Sequence, residues 1–168
     1  MAFNSMGRGN SMRSVFAYAV FVIALACSAA SASAASVLIS ISKAHQEMTV
    51  SVDGDLLYTW PVSTGAKGYS TPSGTYTPFR MEKDHFSKEW DDAPMPNSIF
   101  FTPMGHAIHG SFHTKSLGKR ASHGCVRLAP PNAAKLYALV QKAGLRHTTV
   151  VVKGASEFLF PDLSDLFR

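Results

Sequence analysis

Apolar and polar residues alternate through Val37–Ser42 (VLISIS) and again through Glu47–Val52 (EMTVSV), the period-two pattern of half-buried strands. Asp53-Gly54 is a hairpin turn signal, and residues 56–62 (LLYTWPV) read as the returning strand, with Pro61 near its end. These segments predict an antiparallel meander. Residues 63–74 (STGAKGYSTPSG) are dense in Gly, Ser, Thr and Pro and read as a loop, explained by turn geometry without a catalytic role. Residues 76–81 resume as a strand broken by Pro78, at an edge or a bend. Residues 82–97 (EKDHFSKEWDDAPMPN) read as a long charged loop. Its Phe86, Trp90 and Met95 either flank a ligand or pin the loop to the sheet, while His85, Asp84, Glu89, Asp91 and Asp92 form a solvated face. Residues 98–102 and 106–109 are short strands, and alternation in the second separates His109 from His106. Pro130-Pro131 opens a helix that carries Leu136, Leu139 and Val140 at helical spacing and ends at Gly144. Residues 148–152 (TTVVV) form a final strand, and residues 155–168 are an apolar-rich tail.

The N-terminus departs from this pattern. Arg8 and Arg13 precede an apolar run over residues 15–27, and the small residues of 28–36 follow it. Basic residues, a short apolar core and an Ala-Ser-Ala site at residues 32–34 predict a secretory signal peptide over residues 1–34. The run is short for a membrane span, so no membrane anchor is expected after cleavage, and Cys27 leaves with the signal. The remainder keeps 14 Lys/Arg against 11 Asp/Glu, a net charge of +3. That balance is too mild and scattered for a nucleic-acid footprint. Residues 35–154 are sufficient for one domain with one core. Cys125 is the only cysteine left, so no internal disulfide forms, and its thiol is either buried and inert or kept for chemistry.

Cys125 lies in the most informative stretch, residues 107–128 (AIHGSFHTKSLGKRASHGCVRL). A thiol becomes a nucleophile on losing its proton, which a nearby imidazole promotes. His109 is the candidate base, and a backbone carbonyl near Gly110 or Ser111 is one candidate for its orienting group; His113 is the competing imidazole. The N–H groups around His123, Gly124 and Cys125 are candidate oxyanion donors, supported by Ser122 and Gly110. Arg127 shares a face with Cys125 on an extended chain and either binds a substrate carboxylate or makes a structural ion pair. His106, His109, His113, His123 and Cys125 are numerous enough for a zinc site, which makes a metal-dependent hydrolase the rival chemistry. A wall-binding module without catalysis is a third class.

His109-Gly110-Ser111, Gly118 and Ser122-His123-Gly124-Cys125-Val126-Arg127-Leu128 resemble the signature of the L,D-transpeptidase catalytic (YkuD-like) domain, with twelve residues between His109 and Ser122. Ser111 stands where many members carry Thr. The resemblance implies a mainly-β, β-sandwich-like fold with one significant helix after the catalytic cysteine. It further implies cysteine acyl transfer on peptidoglycan stem peptides, without metal or organic cofactor, at a periplasmic location. Cys125 and His109 would be catalytic and Arg127 and Ser111 would bind substrate. D-Ala would leave, and the acceptor would be a second stem (a 3→3 cross-link), an outer-membrane protein, a D-amino acid or water (L,D-carboxypeptidase activity). Acylation of Cys125 by carbapenem-type β-lactams is expected on the same ground.

Overall fold

The computed structural model describes Met1, residues 34–89 and residues 91–154. The predicted signal peptide, Trp90 and the tail at 155–168 lie outside the described residues, and the structure bears on none of them.

The described chain forms nine strands and one α-helix. A five-stranded sheet contains β1 (Val37–Ser42), β2 (Glu47–Val52), β3 (Asp55–Pro61), β4 (Gly74–Tyr76) and β9 (Thr148–Lys153), in the order β3-β2-β1-β9-β4. A four-stranded sheet, β5-β6-β7-β8, contains β5 (Arg80–Ser87), β6 (Ala93–Phe100), β7 (Ala107–Gly110) and β8 (Val126–Leu128). The helix α1 spans Pro130–Ala143. The mainly-β expectation with one helix after Cys125 is met, and β1–β3 form the predicted antiparallel meander.

The alternation seen in the sequence becomes burial. Val37, Ile39 and Ile41 point inward from β1, and Met48 and Val50 from β2. They join Ile99, Ile108, Val126 and Leu128 of the second sheet and Ala133, Leu136 and Val140 of α1 in one core. Each fully buried Ile, Leu or Val contributes roughly 1.5–3 kcal/mol relative to exposure. Pro130 supplies the first residue of α1 without losing a helical hydrogen bond. Gly144 ends the helix at φ 90°, its N–H donating to Val140 O at 2.8 Å.

Two readings are corrected. Residues 76–81 are not one strand: β4 ends at Tyr76, β5 begins at Arg80, and the two belong to different sheets. Pro78, lacking an N–H, sits buried in the crossover where no ladder bond is needed. Residues 82–97 are not a loop either, because β5 and β6 pair antiparallel from Arg80↔Phe100 to Ser87↔Ala93. Pro94 and Pro96 are tolerated in β6 because they lie where it pairs only with β5; its ladder with β7 is confined to Ile99 and Phe100. Asn97 adopts φ 57° and interrupts the alternation along β6.

Candidate active site

The parallel ladder of β7 and β8 builds the site. Its register pairs Ile108 with Val126, His109 with Arg127 and Gly110 with Leu128. Ile108, Val126 and Leu128 are in the core, so the alternate residues, His109 and Arg127, face the other way, into an open cleft of about 840 Å³. One step further along the ladder, Ala107 lies level with Cys125. Cys125, Met95, Phe100 and Ala107 form a second, smaller apolar cluster at the floor of this cleft.

The loop before Cys125 is held by the segment read as a plain turn region. Ser63 and Arg127 exchange backbone hydrogen bonds of 3.0 and 2.9 Å, and Thr64 O accepts from the N–H groups of Ala121 and Ser122, both at 3.0 Å. Thr71 Oγ1 accepts from Gly65 N–H at 3.0 Å and donates to Gly124 O at 2.8 Å. Lys43, 8% exposed, donates through Nζ to Thr71 O at 2.8 Å, and Gln46 ties Thr64 to Lys43 O. Gly65 is required here, since a Cβ would stand 1.8 Å from Tyr69 O. The chemistry of residues 63–74 is therefore support of the nucleophile loop, as the turn reading allowed, but the support comes through side chains that the reading did not single out.

Around Cys125 the contacts are specific. Ser122 Oγ donates to Cys125 O at 2.5 Å and accepts from Gly124 N–H at 3.2 Å, which closes the turn. The Gly124 N–H is thus engaged within the loop. The half-buried Cys125 thiol makes a long contact of 3.9 Å to Gly105 O. Burial pushes its pKa up; a backbone hydrogen bond from Ala107 and the charge of Arg127 act in the opposite sense, and Glu89 adds to the rise. His109 is 5% exposed, and its Nδ1 donates to Gly110 O at 2.8 Å. That bond fixes the tautomer and leaves Nε2 as the proton acceptor. Burial lowers the His109 pKa to about 4; the Gly110 bond opposes this, while Arg127 and His85 reinforce it. At neutral pH the pair is a thiol and a neutral imidazole.

Gly110 itself packs β7 closely, as a Cβ there would meet Pro96 Cγ at 3.1 Å and Ala133 Cβ at 3.3 Å. Ser111 is buried at the cleft, its N–H donating to Leu128 O at 2.9 Å and its Oγ accepting from His113 N–H at 3.3 Å. His123 is exposed in the cleft and meets the Tyr69 ring edge-on at 4.8 Å. Arg127 Nη1 donates to Ala121 O at 3.2 Å, and among the described residues no carboxylate lies within ion-pair distance of it. His113 lines the cleft rim, exposed.

His106 departs from the alternation argument. β7 starts only at Ala107, so His106 precedes the ladder and turns toward Gly124. Its N–H donates to Thr102 Oγ1 at 3.2 Å, and its Nδ1 shares a 2.7 Å hydrogen bond with the same hydroxyl. A Cβ on residue 124 would stand 3.0 Å from both Cδ2 and Nε2 of this pinned ring, and Gly124 has φ 114°. Gly124→Ala is therefore expected to cost about 1–3 kcal/mol in backbone strain alone. Thermal unfolding should show the loss, with slower acylation of Cys125 because the strained bond adjoins the nucleophile. The sequence reading passed over Arg80 and Glu82, which line the cleft wall, and His85 and Glu89, read as part of a solvated face, line it too. Phe86 is exposed in that wall and Met95 is buried beneath it. Among the described residues no three His, Cys, Asp or Glu side chains are grouped as metal ligands.

A thiol, a buried imidazole oriented by a carbonyl, and a guanidinium lie together in one open cleft, the set of groups that cysteine acyl transfer draws on. The L,D-transpeptidase catalytic domain (YkuD) model matches residues 36–152, and the chain belongs to that family. The YkuD protein of Bacillus subtilis (strain 168) is 23% identical over 105 residues, covering 61% of this chain and 59% of that protein. Among solved structures, an L,D-transpeptidase from Mycobacterium smegmatis is 28% identical with a TM-score of 0.64, over 71% of this chain and 59% of that one. An L,D-transpeptidase from Stackebrandtia nassauensis is 29% identical with a TM-score of 0.62, over 71% and 56%. The chain thus spans somewhat under two thirds of the length of these relatives.

Proposed function

We propose that this chain is an exported peptidoglycan L,D-transpeptidase with Cys125 as nucleophile and His109 as general base. The observation that carries the reading is the β7–β8 register, which turns His109 and Arg127 into the cleft that Cys125 lines, with His109 Nδ1 committed to Gly110 O. The His109 Nε2 takes the thiol proton as sulphur attacks the carbonyl between the position-3 diamino acid and D-Ala of a tetrapeptide stem. The tetrahedral oxyanion is met by the backbone N–H of Cys125 itself, since the N–H groups of Ser122 and Gly124 are engaged within the loop. It collapses to a thioester as the C–N bond breaks, and the imidazolium returns its proton to the departing D-Ala amine. An acceptor amine then attacks the thioester, gives up its proton through His109, and releases the thiol with a new amide bond. Arg127, without a carboxylate partner among the described residues, takes the D-Ala carboxylate. Ser111 borders the same space. Export rests on the signal-like sequence over residues 1–34, and a periplasmic site of action goes with it.

Intact-mass spectrometry of the protein mixed with a disaccharide-tetrapeptide tests the reading. A transient adduct on Cys125 with release of D-Ala is expected, then a cross-linked dimer. A trimmed tripeptide as sole product would assign the carboxypeptidase reaction, with water as acceptor. Turnover abolished by a chelator but retained in Cys125→Ala would overturn the thiol mechanism. A carbapenem should leave a stable adduct on Cys125 in the same measurement.

A further inference from the structure

The cleft wall facing away from β8 carries a charged cluster that no step above uses. Arg80 pairs with Phe100 and Phe100 with Ala107, and the Ile108↔Val126 register carries the same row on to Cys125. Strands lie about 4.8 Å apart, so the backbones of Arg80 and Cys125 are separated by roughly 14 Å across the cleft floor.

The Arg80 guanidinium stands over the Phe100 ring, 3.7 Å from its centroid, and its Nη1 donates to Glu82 Oε1 at 3.0 Å. Glu82 Oε2 is engaged by His85 Nδ1, and the His85 ring meets Phe100 edge-on at 5.0 Å. Phe100 is 2% exposed, which makes it a fixed platform, whereas the Arg80 side chain is 47% exposed. A guanidinium has five N–H donors, and the Glu82 contact uses Nη1 alone. Glu82 is the only carboxylate on Arg80 among the described residues, and that carboxylate is shared with His85. Such an arrangement aims the rest of the fork without satisfying it.

We propose that Arg80, aligned by Glu82, His85 and Phe100, is a second carboxylate anchor that selects donors carrying a free carboxylate on the segment retained in the thioester. The inference rests on the acyl-transfer reading of Cys125. With Arg127 holding the leaving-group carboxylate at the β8 edge, the retained segment runs over Phe100 toward β5. An extended peptide advances about 3.4 Å per residue, so 14 Å is roughly four residues. The arginine side chain covers part of that distance, which places the selected carboxylate two or three residues before the scissile bond.

The test is equilibrium binding of two synthetic tetrapeptide stems to the full chain carrying Cys125→Ala, so that no turnover intervenes. The stems differ only in whether the upstream carboxylate is free or amidated. The free acid is expected to bind on the order of tenfold tighter, the size of a charge-assisted hydrogen bond. Adding Arg80→Met should remove that preference by weakening the free acid alone, and Arg80→Lys should keep part of it, since ammonium offers charge without the fork. Equal affinity for both stems, a preference that survives Arg80→Met, or equal weakening of both stems would overturn the proposal. Release of D-Ala by the wild-type protein, measured separately, reports on the acyl-transfer reading alone.

Discussion

Replacing Cys125 by Ala is expected to lower stem-peptide turnover by at least about 10⁴-fold, because Cys125 is the only thiol lining the cleft and the one nucleophile set beside His109 on the β7–β8 ladder. Intact-mass spectra of Cys125→Ala should show neither the stem adduct nor the carbapenem adduct, while the melting temperature stays near that of the wild type. Stability should change little because the thiol is half-buried, its contact with Gly105 O is long at 3.9 Å, and its apolar neighbours Met95, Phe100 and Ala107 form a small cluster outside the main core. Binding should persist, as the cleft walls and Arg127 are untouched. Cys125→Ser is expected to be similarly inert: an alcohol is a far weaker acid than a thiol, and the burial that raises the thiol's pKa acts against an alkoxide even more strongly. Turnover in Cys125→Ala within tenfold of wild type would remove the thiol from the mechanism.

His109→Gln should reduce kcat/KM by about 10²–10⁴-fold, the usual range for a positioned general base. The pH dependence gives the sharper result. His109 is lowered to about 4, so its base form persists well below neutrality, and the acid limb of kcat/KM should fall near pH 4 and not near the usual histidine value. In His109→Gln that limb should vanish. A limb near pH 6.5 in the wild type would mean that a different imidazole is the base. With the thiol raised and the imidazole lowered, an ion pair is disfavoured at rest, so proton transfer accompanies attack on the carbonyl.

The same group links pH to folding. The unfolded chain binds a proton at His109 near pH 6.5 while the folded chain resists until about 4, so the unfolded state holds more protons between these values. Stability from this source is complete above pH 6.5 and declines as pH falls toward 4. The total is on the order of 3 kcal/mol. Denaturant titrations across that window should show the slope in the wild type and its loss in His109→Gln.

Much of the first sheet was legible because its strands bury one face only. Val37–Ser42 and Glu47–Val52 have the bounds that their alternation predicts, and Asp53-Gly54 turns between β2 and β3 with both residues at positive φ. Pro130 and Gly144 bounded the helix for equally local reasons. The β5–β6 hairpin was hidden because Arg80, Glu82 and His85 line an open cleft, so a paired strand carries charges that imitate a loop. Within the site, Cys125, His109 and the glycines are betrayed by residue type. His106, Thr71, Gln46 and Lys43 act through partners 4 to 53 positions away, at separations that no local pattern encodes.

The parallel pairing of β1 with β9 joins Val37 to Thr148 and Ser42 to Lys153, the first strand of the domain to the last. That contact has nearly the highest sequence separation the domain allows, and such contacts delay folding. A nascent chain that has emerged only through α1 has all the residues of the cleft, yet β1 and β4 each lack the neighbour that separates them in the finished sheet. The loop carrying Cys125 is tied to Ser63, Thr64 and Thr71, in the segment joining β3 to β4, the two strands at opposite edges of that sheet. A protein truncated before Thr148 is therefore expected to be inert although every reactive residue is present, which an acylation assay on that truncation would check.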